Sequence, residues 1–388
     1  MYDVIIIGSG FAGSVLAERL ANNLDKKVLV IEQRNHIGGN MYDFIDEAGV
    51  LQHKYGPHIF HTNHGLVVEY LSRFTEWFPY EHEVLGYVQN QLVSIPFNVE
   101  GIRSCFPSEK AEEMISLLIE KYGEDTKVPI LKLREEKNEL LKELADFIYE
   151  NVFLHYTMKQ WDLAPDEIDP NVTNRVPVNV SADKRYFNDD FQLMPKKGYT
   201  VIFEQMLDNE NIDVLLETDA MSLLKLDHES GKVYFKDELF EGILVCTGQI
   251  DALFDYQLGE LQYRSLDFDV QYKEGTYQPV STVNYPTPKS EHAYTRITEY
   301  KHMMQQKPEN TSICIEYSLP FDKNSEKGNI PYYPVFTEEG QKKYQDYVNL
   351  SGKFENLYLV GRLAEYRYYN MDAIVHRALE VYQEIKEK

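Results

Sequence analysis

The chain has 388 residues, 43% of them hydrophobic, enough to bury more than one core. Its formal net charge of −24 argues against holding a nucleic-acid backbone by bulk electrostatics, and would repel an anionic substrate unless particular arginines reverse the field locally. No apolar run approaches the ~18 residues of a membrane span. No signal peptide is expected, because Met1-Tyr2-Asp3 leads straight into an apolar run. Cys105, Cys246 and Cys314 are scattered and read as reduced thiols, which points to the cytoplasm.

In chain order, Tyr2 to Ile7 reads as a buried parallel strand and Phe11 to Leu24 as the helix after it. Gly8-Ser9-Gly10-Phe11-Ala12-Gly13 joins them. A second strand, Lys27 to Ile31, ends in Glu32, nineteen residues after Gly13. This is the full context of a dinucleotide fingerprint. Gly8 makes the turn, Gly10 admits a pyrophosphate and Gly13 allows close helix–strand packing. The helix N-terminus offers free N–H groups to phosphate, and Glu32 is placed to accept from a ribose. The fingerprint serves NAD and FAD alike. A second glycine turn at Gly38-Gly39 leans toward FAD, where backbone must pass close to the cofactor.

Val84 to Pro96 alternates like strand. Ser108 reads as the N-cap of a helix from Glu109 to Tyr122, stopped at Gly123. Ile130 to Val152 reads as a second helical region with Leu140, Leu141, Leu144 and Phe147 on one side. Its charge run Arg134-Glu135-Glu136-Lys137 reads as a solvated face. Asn179 to Leu193, Tyr263 to Val283 and Ser312 to Tyr317 read as strands. Glu241 to Val245 followed by Cys246-Thr247-Gly248 is a further strand-then-glycine unit. Asn356 to Val360 ends in Gly361-Arg362, and Met371-Asp372-Ala373-Ile374 opens a helix with Ile374, Ala378, Val381 and Ile385 on one face. Such a helix, aimed at a flavin, would stabilise the negative charge of its reduced form.

The fold expected is α/β with α+β insertions. Residues 1–80, 200–252 and 352–388 would make a discontinuous FAD-binding, Rossmann-like domain. Residues 101–165 would form a helical insertion, with a substrate loop to about 178. Residues 81–100, 179–199 and 260–336 would make a mostly antiparallel sheet domain. The 29 tyrosines, many of them late (Tyr332, Tyr333, Tyr358, Tyr366, Tyr368, Tyr369), suit a polar sugar site.

Several stretches are more distinctive: Arg34-Asn35-His36-Ile37-Gly38-Gly39-Asn40, Lys54-Tyr55-Gly56-Pro57-His58-Ile59-Phe60-His61-Thr62, Tyr156-Thr157-Met158-Lys159-Gln160-Trp161 and Asn174-Arg175-Val176-Pro177-Val178. Further on come Tyr294-Thr295-Arg296-Ile297-Thr298-Glu299, Ile330-Pro331-Tyr332-Tyr333-Pro334, and Gly361-Arg362 with Tyr366-Arg367-Tyr368-Tyr369-Asn370-Met371-Asp372. In these the chain resembles the bacterial UDP-galactopyranose mutase family, nearly end to end. The resemblance implies an isomerase that interconverts UDP-galactopyranose and UDP-galactofuranose, supplying galactofuranose for cell-surface glycans. It implies FAD, active as reduced FADH−, whose N5 attacks the anomeric carbon and displaces UDP. It also implies an external flavin reductant and a homodimer.

Residue by residue, the resemblance implies that Arg175, on a mobile loop closing over substrate, and Arg296, on the sheet side, act catalytically on the diphosphate. Trp161, on the same loop, would stack near the uridine. Tyr186, Tyr333 and Tyr368 would give hydroxyls to phosphate, and Asn284, Tyr80 and Thr157 would complete the substrate set. The cofactor set would be Gly8, Gly10, Phe11, Gly13, Glu32, Gln33, Gly39, Asn40, His58, Ile59, Gly361, Arg362, Tyr369, Asn370, Met371, Asp372 and Ile374. Many members carry aspartate where Asn370 stands. His58 and His61 lack a third ligand at metal-site spacing, and their loop would pack its backbone against the flavin. An ordinary salt bridge for Arg296 would be to Glu299. Two other readings share parts of this pattern: a flavin oxidase of the amine-oxidase type and a non-enzymatic nucleotide-sugar binding protein.

Overall fold

The computed structural model describes residues 2–162 and 177–388. The expectations for Arg175 and for most of the substrate loop lie outside the described residues. The first strand β1 (Val4–Ile7), helix α1 (Phe11–Leu24) and strand β2 (Val28–Ile31) form where the apolar runs place them. Gly13 lets α1 lie on the strand: a Cβ there would sit 2.0 Å from the Gly8 carbonyl oxygen. Within α1, Val15, Leu16 and Leu20 are fully buried, each contributing about 1.5–3 kcal/mol of apolar burial.

The run 84–96 is a hairpin, β3 (Val84–Val88) and β4 (Gln91–Ile95), turned at Gln89 and Asn90, both at positive φ. Helix α2 (Ser108–Tyr122) begins one residue earlier than expected. Ser108 is its first helical residue and gives no side-chain cap, while Gly123 does end it. The region 130–152 is broken in the middle. A short helix, Ile130–Arg134, stops before Asn138, whose side chain caps α3 (Glu139–Ile148) at the Leu140 and Leu141 N–H groups. Arg134 of the charge run ends the short helix and Glu135 to Lys137 lie in the break, all exposed but the half-buried Glu136, so the run is solvated without forming one helix face. Glu136, at that break, holds Lys121 and Tyr122 of α2. A wider π turn, Tyr149–Leu154, then leads into α4 (His155–Trp161). Trp161 is thus the last residue of a helix and not part of a loop.

Only the ends of 179–193 are extended: Val178–Asn179 pairs with Lys127–Val128, and Phe191–Pro195 lies between Phe60–Thr62 and Trp77–Pro79. Between them Asp183 turns the chain, accepting from the Arg185 backbone N–H and guanidinium. Strand β5 (Ile212–Leu215) and β6 (Ile243–Cys246) follow. The run 263–283 is two strands, β7 (Tyr263–Glu274) and β8 (Thr282–Asn284), separated at Gly275. Then come β9 (Arg296–Glu299), β10 (Asn310–Pro320), β11 (Tyr333–Pro334), β12 (Leu357–Leu359) and helix α5 (Met371–Glu387).

Two sheets organise these elements. One is parallel, in the order β5-β2-β1-β6-β12. Alternate residues of β1 serve different cores: Val4 and Ile6 pack with α1 and α5, and Ile5 with Leu244, Phe254 and Tyr347 on the other face. This is a doubly covered Rossmann-like sheet. Ala378, Val381 and Ile385 of α5 are buried against it, joined by Val375 and Tyr382. The second sheet has the order β11-β7-β10-β9-β8-β3-β4 and is antiparallel except between β8 and β3. The helices α2 and α3 share a separate core with β3 and β4. The architecture is α/β with an antiparallel sheet and a helical insertion. Among the described residues no helix is long and apolar enough to cross a membrane.

Candidate active site

A cavity of about 320 Å³ opens at the C-terminal ends of β1, β2 and β6, where a doubly wound sheet receives its ligand. Its floor is the glycine turn and the N-terminus of α1. Gly10 precedes that helix without a side-chain cap, so the first-turn N–H groups remain for a ligand. Gly39 faces Gly10 at φ +56°, and a Cβ on it would stand 3.0 Å from Gly10 Cα. Here backbone replaces side chain on both sides of a narrow passage.

Glu32 ends β2 and lines the cavity. Its Oε2 accepts from Ser9 N (3.0 Å) and Ser9 Oγ (2.8 Å), and Oε1 from Arg34 N (3.0 Å). These bonds fix its orientation, and a carboxylate retains lone pairs for a ribose. Arg34 gives Nη2 to Asn40 Oδ1 at 3.0 Å and lies 4.2 Å from the Tyr55 ring centroid.

Among the described residues, four buried polar atoms of side chains that line this cavity meet no partner at good hydrogen-bond geometry: Arg34 Nη1, His58 Nδ1, Gln249 Nε2 and the Tyr332 hydroxyl. Left bare, such groups cost free energy, so their convergence on one glycine-lined cavity fits a dinucleotide with phosphates and polar rings. Burial, with His53 and Arg362 nearby, holds His58 well below the ordinary imidazole range, so the ring is neutral.

Gly8, Gly10, Phe11, Glu32, Gln33, Gly39, Asn40, His58, Gly361, Arg362, Tyr369, Asn370, Met371 and Ile374 all line the cavity. Three residues of the expected cofactor set do not. Gly13 packs beneath it, and Ile59 is 8% exposed in the main core. Asp372 turns away to accept from Thr62 Oγ1 at 2.8 Å. Asn370 starts α5 without capping it through its side chain. Ser9, Arg34, Thr247 to Gln249 and a wall from Thr218 to Met221 also line the cavity, and the sequence did not single them out as site residues. Arg34 and Thr247 lie in stretches conspicuous for their glycines. The Thr218 wall carries no local signal, since only the β5 position brings it there.

Beside it lies a cleft of about 280 Å³, lined by Thr157, Trp161, Tyr186, Asn284, Arg296, Tyr333 and Tyr368, together with Phe153, Tyr156, Gln160 and Pro286. Arg296 opens β9. Its Nε (2.9 Å) and Nη2 (2.7 Å) donate to Glu316 Oε2 on β10. The carboxylate partner is therefore Glu316, 2% exposed, and not Glu299. Glu299 faces the opposite side, where it receives the Tyr277 and Gln278 N–H groups, Lys301 and His302. Burial works against the Arg296 charge, but Glu316, Tyr156 and Tyr333 hold the guanidinium above its ordinary value. Burial likewise raises the Tyr156 and Tyr333 hydroxyls, which stay protonated as donors.

Tyr80 does not line the cleft. Its hydroxyl donates to Ser281 Oγ at 2.9 Å, and burial pushes its pKa up to about 12. The two spaces meet at Arg362 and at the pair Tyr332 and Tyr333. Arg362 donates to Tyr332 O (3.2 Å) and Tyr369 O (2.6 Å), and its guanidinium is 5.1 Å from the ring centroids of both Tyr333 and Tyr368. His61 does not line either space and pairs with Asp189 at 2.8 Å.

A family model described as UDP-galactopyranose mutase matches residues 151–368, and one described as an NAD(P)-binding Rossmann-like domain matches residues 6–74. A UDP-galactopyranose mutase of Mycoplasma genitalium is 36% identical over 390 residues, covering 99% of this chain and 95% of the relative. A dTDP-fucopyranose mutase of Escherichia coli is 33% identical over 389 residues, covering 99% and 98%. A solved structure of reduced UDP-galactopyranose mutase shares the fold at a TM-score of 0.72 and 16% identity, covering 100% of this chain and 94% of that one. Matched by that family model over more than half its length and by such relatives from end to end, the chain belongs to the UDP-galactopyranose mutase family.

Proposed function

We propose that this chain interconverts UDP-galactopyranose and UDP-galactofuranose, with FAD held in the glycine-lined cavity and the UDP-sugar in the adjoining cleft. The observation that carries the reading is the junction of the two: Tyr332 lines one space, Tyr333 the other, and Arg362 lines the cavity while lying over the Tyr333 and Tyr368 rings of the cleft. Reduced FAD, when bound, supplies a nucleophile for the anomeric carbon without net oxidation of the sugar.

The chain's residues supply placement and charge. Arg34 and the α1 N-terminus suit the cofactor's pyrophosphate, and Glu32 its ribose. The α5 N-terminus, opened by Asn370 and Met371, brings positive dipole to the same cavity. In the cleft, Arg296 meets the diphosphate of UDP. That group gains negative charge as its bond to the sugar breaks, so a fixed guanidinium contributes most in the transition state. Tyr156, Tyr186, Tyr333 and Tyr368 offer hydroxyls to phosphate and sugar. Trp161 offers an indole face to the uracil. Phe153 and Pro286 give the cleft apolar wall. An external reductant is needed to bring the cofactor to its active state, and the protein works in the cytoplasm as a homodimer.

The test is incubation of dithionite-reduced protein with UDP-galactofuranose, followed by separation of the two UDP-sugars. The reading expects UDP-galactopyranose to accumulate to equilibrium. No conversion by reduced, FAD-loaded protein contradicts it. Preference for a dTDP-fucose sugar, tested in parallel, would align the chain with the Escherichia coli relative instead. Oxygen uptake with amines would support the oxidase reading.

A further inference from the structure

Lys159 sits on α4 midway between Thr157 and Trp161. Those two residues, four apart, share the helix face that lines the cleft, whereas Lys159 lies about 200° round the helix from each. It is 7% exposed. Its Nζ donates to three backbone carbonyls: Tyr285 at 2.6 Å, Tyr294 at 2.8 Å and His292 at 3.0 Å. All three belong to the connection between β8 and β9. That connection leaves Asn284 and arrives at Arg296, both of which line the cleft.

Three N–H groups meet three acceptors, so the donor capacity of the ammonium is filled. No carboxylate forms an ion pair with it among the described residues. Burial pushes its pKa down to about 8, opposed by Glu291. A buried cation without an anion is a poor source of stability, because an apolar side chain of similar length would avoid the desolvation. It does fix geometry. The connection it grips packs on itself: the Tyr285 and Tyr294 ring centroids are 4.8 Å apart, and His292 packs on both at 5.0 and 5.2 Å.

We propose that Lys159 is a positioning residue for the substrate cleft. Its ammonium ties the helix carrying Thr157 and Trp161 to the connection carrying Asn284 and Arg296, and so sets the gap between the two walls. The inference rests on reading this cleft as the UDP-sugar site. It predicts an effect on substrate binding with little effect on the cofactor cavity, which shares no element with the clamp.

The experiment compares Lys159→Met, which keeps the stem and removes the charge, with Lys159→Arg, which keeps the charge. Calorimetry with UDP on FAD-loaded protein gives affinity, and assays on reduced protein give KM and kcat. Emission of Trp161 in a Trp77→Phe background reports the helix. For Lys159→Met the clamp predicts parental FAD content, a shifted emission, and UDP binding weakened about tenfold or more. KM should rise in parallel, and kcat should fall by less than in Arg296→Ala, because Glu316 still holds Arg296. Lys159→Arg should recover most of the affinity. Parental affinity and emission in Lys159→Met would overturn the proposal, as would loss of FAD, which would mark a general structural role. Should Lys159→Met not accumulate, Lys159→Arg decides: near-parental UDP binding supports the clamp and a loss beyond about tenfold contradicts it. If the parent itself binds no UDP, the substrate reading fails, and the emission of Trp161 still decides whether Lys159 holds the helix.

Discussion

Arg296 shows what one residue can and cannot disclose in sequence. An isolated arginine in a chain of net charge −24 is a fair candidate for an anionic ligand. Its counter-ion was not legible, because the nearest carboxylate in sequence is on the wrong side of a strand. Residues three apart in a strand point to opposite faces, so Glu299 turns away while Glu316 stands directly across the ladder. The pair makes two predictions. Arg296→Ala should keep FAD and lower turnover by about tenfold to over a hundredfold, the loss of a charge-assisted contact worth roughly 1.5–3 kcal/mol. It should also lower the unfolding temperature, since Glu316 is left buried and unpaired. Adding Glu316→Gln should restore much of the stability and none of the turnover. Wild-type kinetics in Arg296→Ala would place the diphosphate elsewhere, and an unchanged unfolding temperature would deny the pair its structural share. Tyr80 teaches the same limit. A tyrosine in a polar-looking stretch gave no sign that Ser281, far along the chain, would take its hydroxyl.

At the scale of elements, legibility followed punctuation. Helix α1 came out residue for residue because a glycine turn starts it and its apolar face is continuous. The region 130–152 looked like one helical region because Leu140, Leu141, Leu144 and Phe147 fall on one side of it. In the fold, Asn138 intervenes and starts a new helix by capping it. A cap is easy to overlook when flanking residues are good helix formers. Asn138→Ala should destabilise the protein by about 1 kcal/mol, read by denaturant unfolding, with UDP affinity unchanged. A loss of affinity with no loss of stability would mean that α3 acts on the cleft directly. Trp161 closes its helix beside Asp162, and Gly275 divides a long extended run; both breaks fall at residues of positive φ, which alternation alone does not reveal.

The whole molecule was readable as a dinucleotide fold with an antiparallel second sheet, because the two ends of the chain carry the cofactor signals and the middle alternates. Buried histidines make its stability depend on pH. Burial lowers His53 to about 4 and His82 to about 3 from an ordinary 6.5. The unfolded chain therefore takes up protons below pH 6.5 that the fold refuses until pH 4 or lower. Stability is complete above about 6.5 and falls with acid across that window. At one site the loss is about 1.4 kcal/mol for every pH unit between the unfolded and folded pKa. Glu299, lowered to about 2, adds its own loss only below its ordinary 4.5. Unfolding temperatures should thus decline from pH 6.5 to 4.5, and His82→Gln should flatten the decline. A profile equally steep in that variant would assign the acid sensitivity to other groups.

The central claim is that the two adjoining spaces hold a reduced cofactor and a UDP-sugar for a reaction without net oxidation. The measurement that tests it most directly is an anaerobic count of sugar turnovers per cofactor, with reductant consumption followed in the same sample. The account predicts many conversions of UDP-galactofuranose for each cofactor reduced once, no further reductant consumed, and no activity in the oxidised protein. Equal activity of oxidised and reduced protein, or one reductant consumed for each sugar converted, would contradict it.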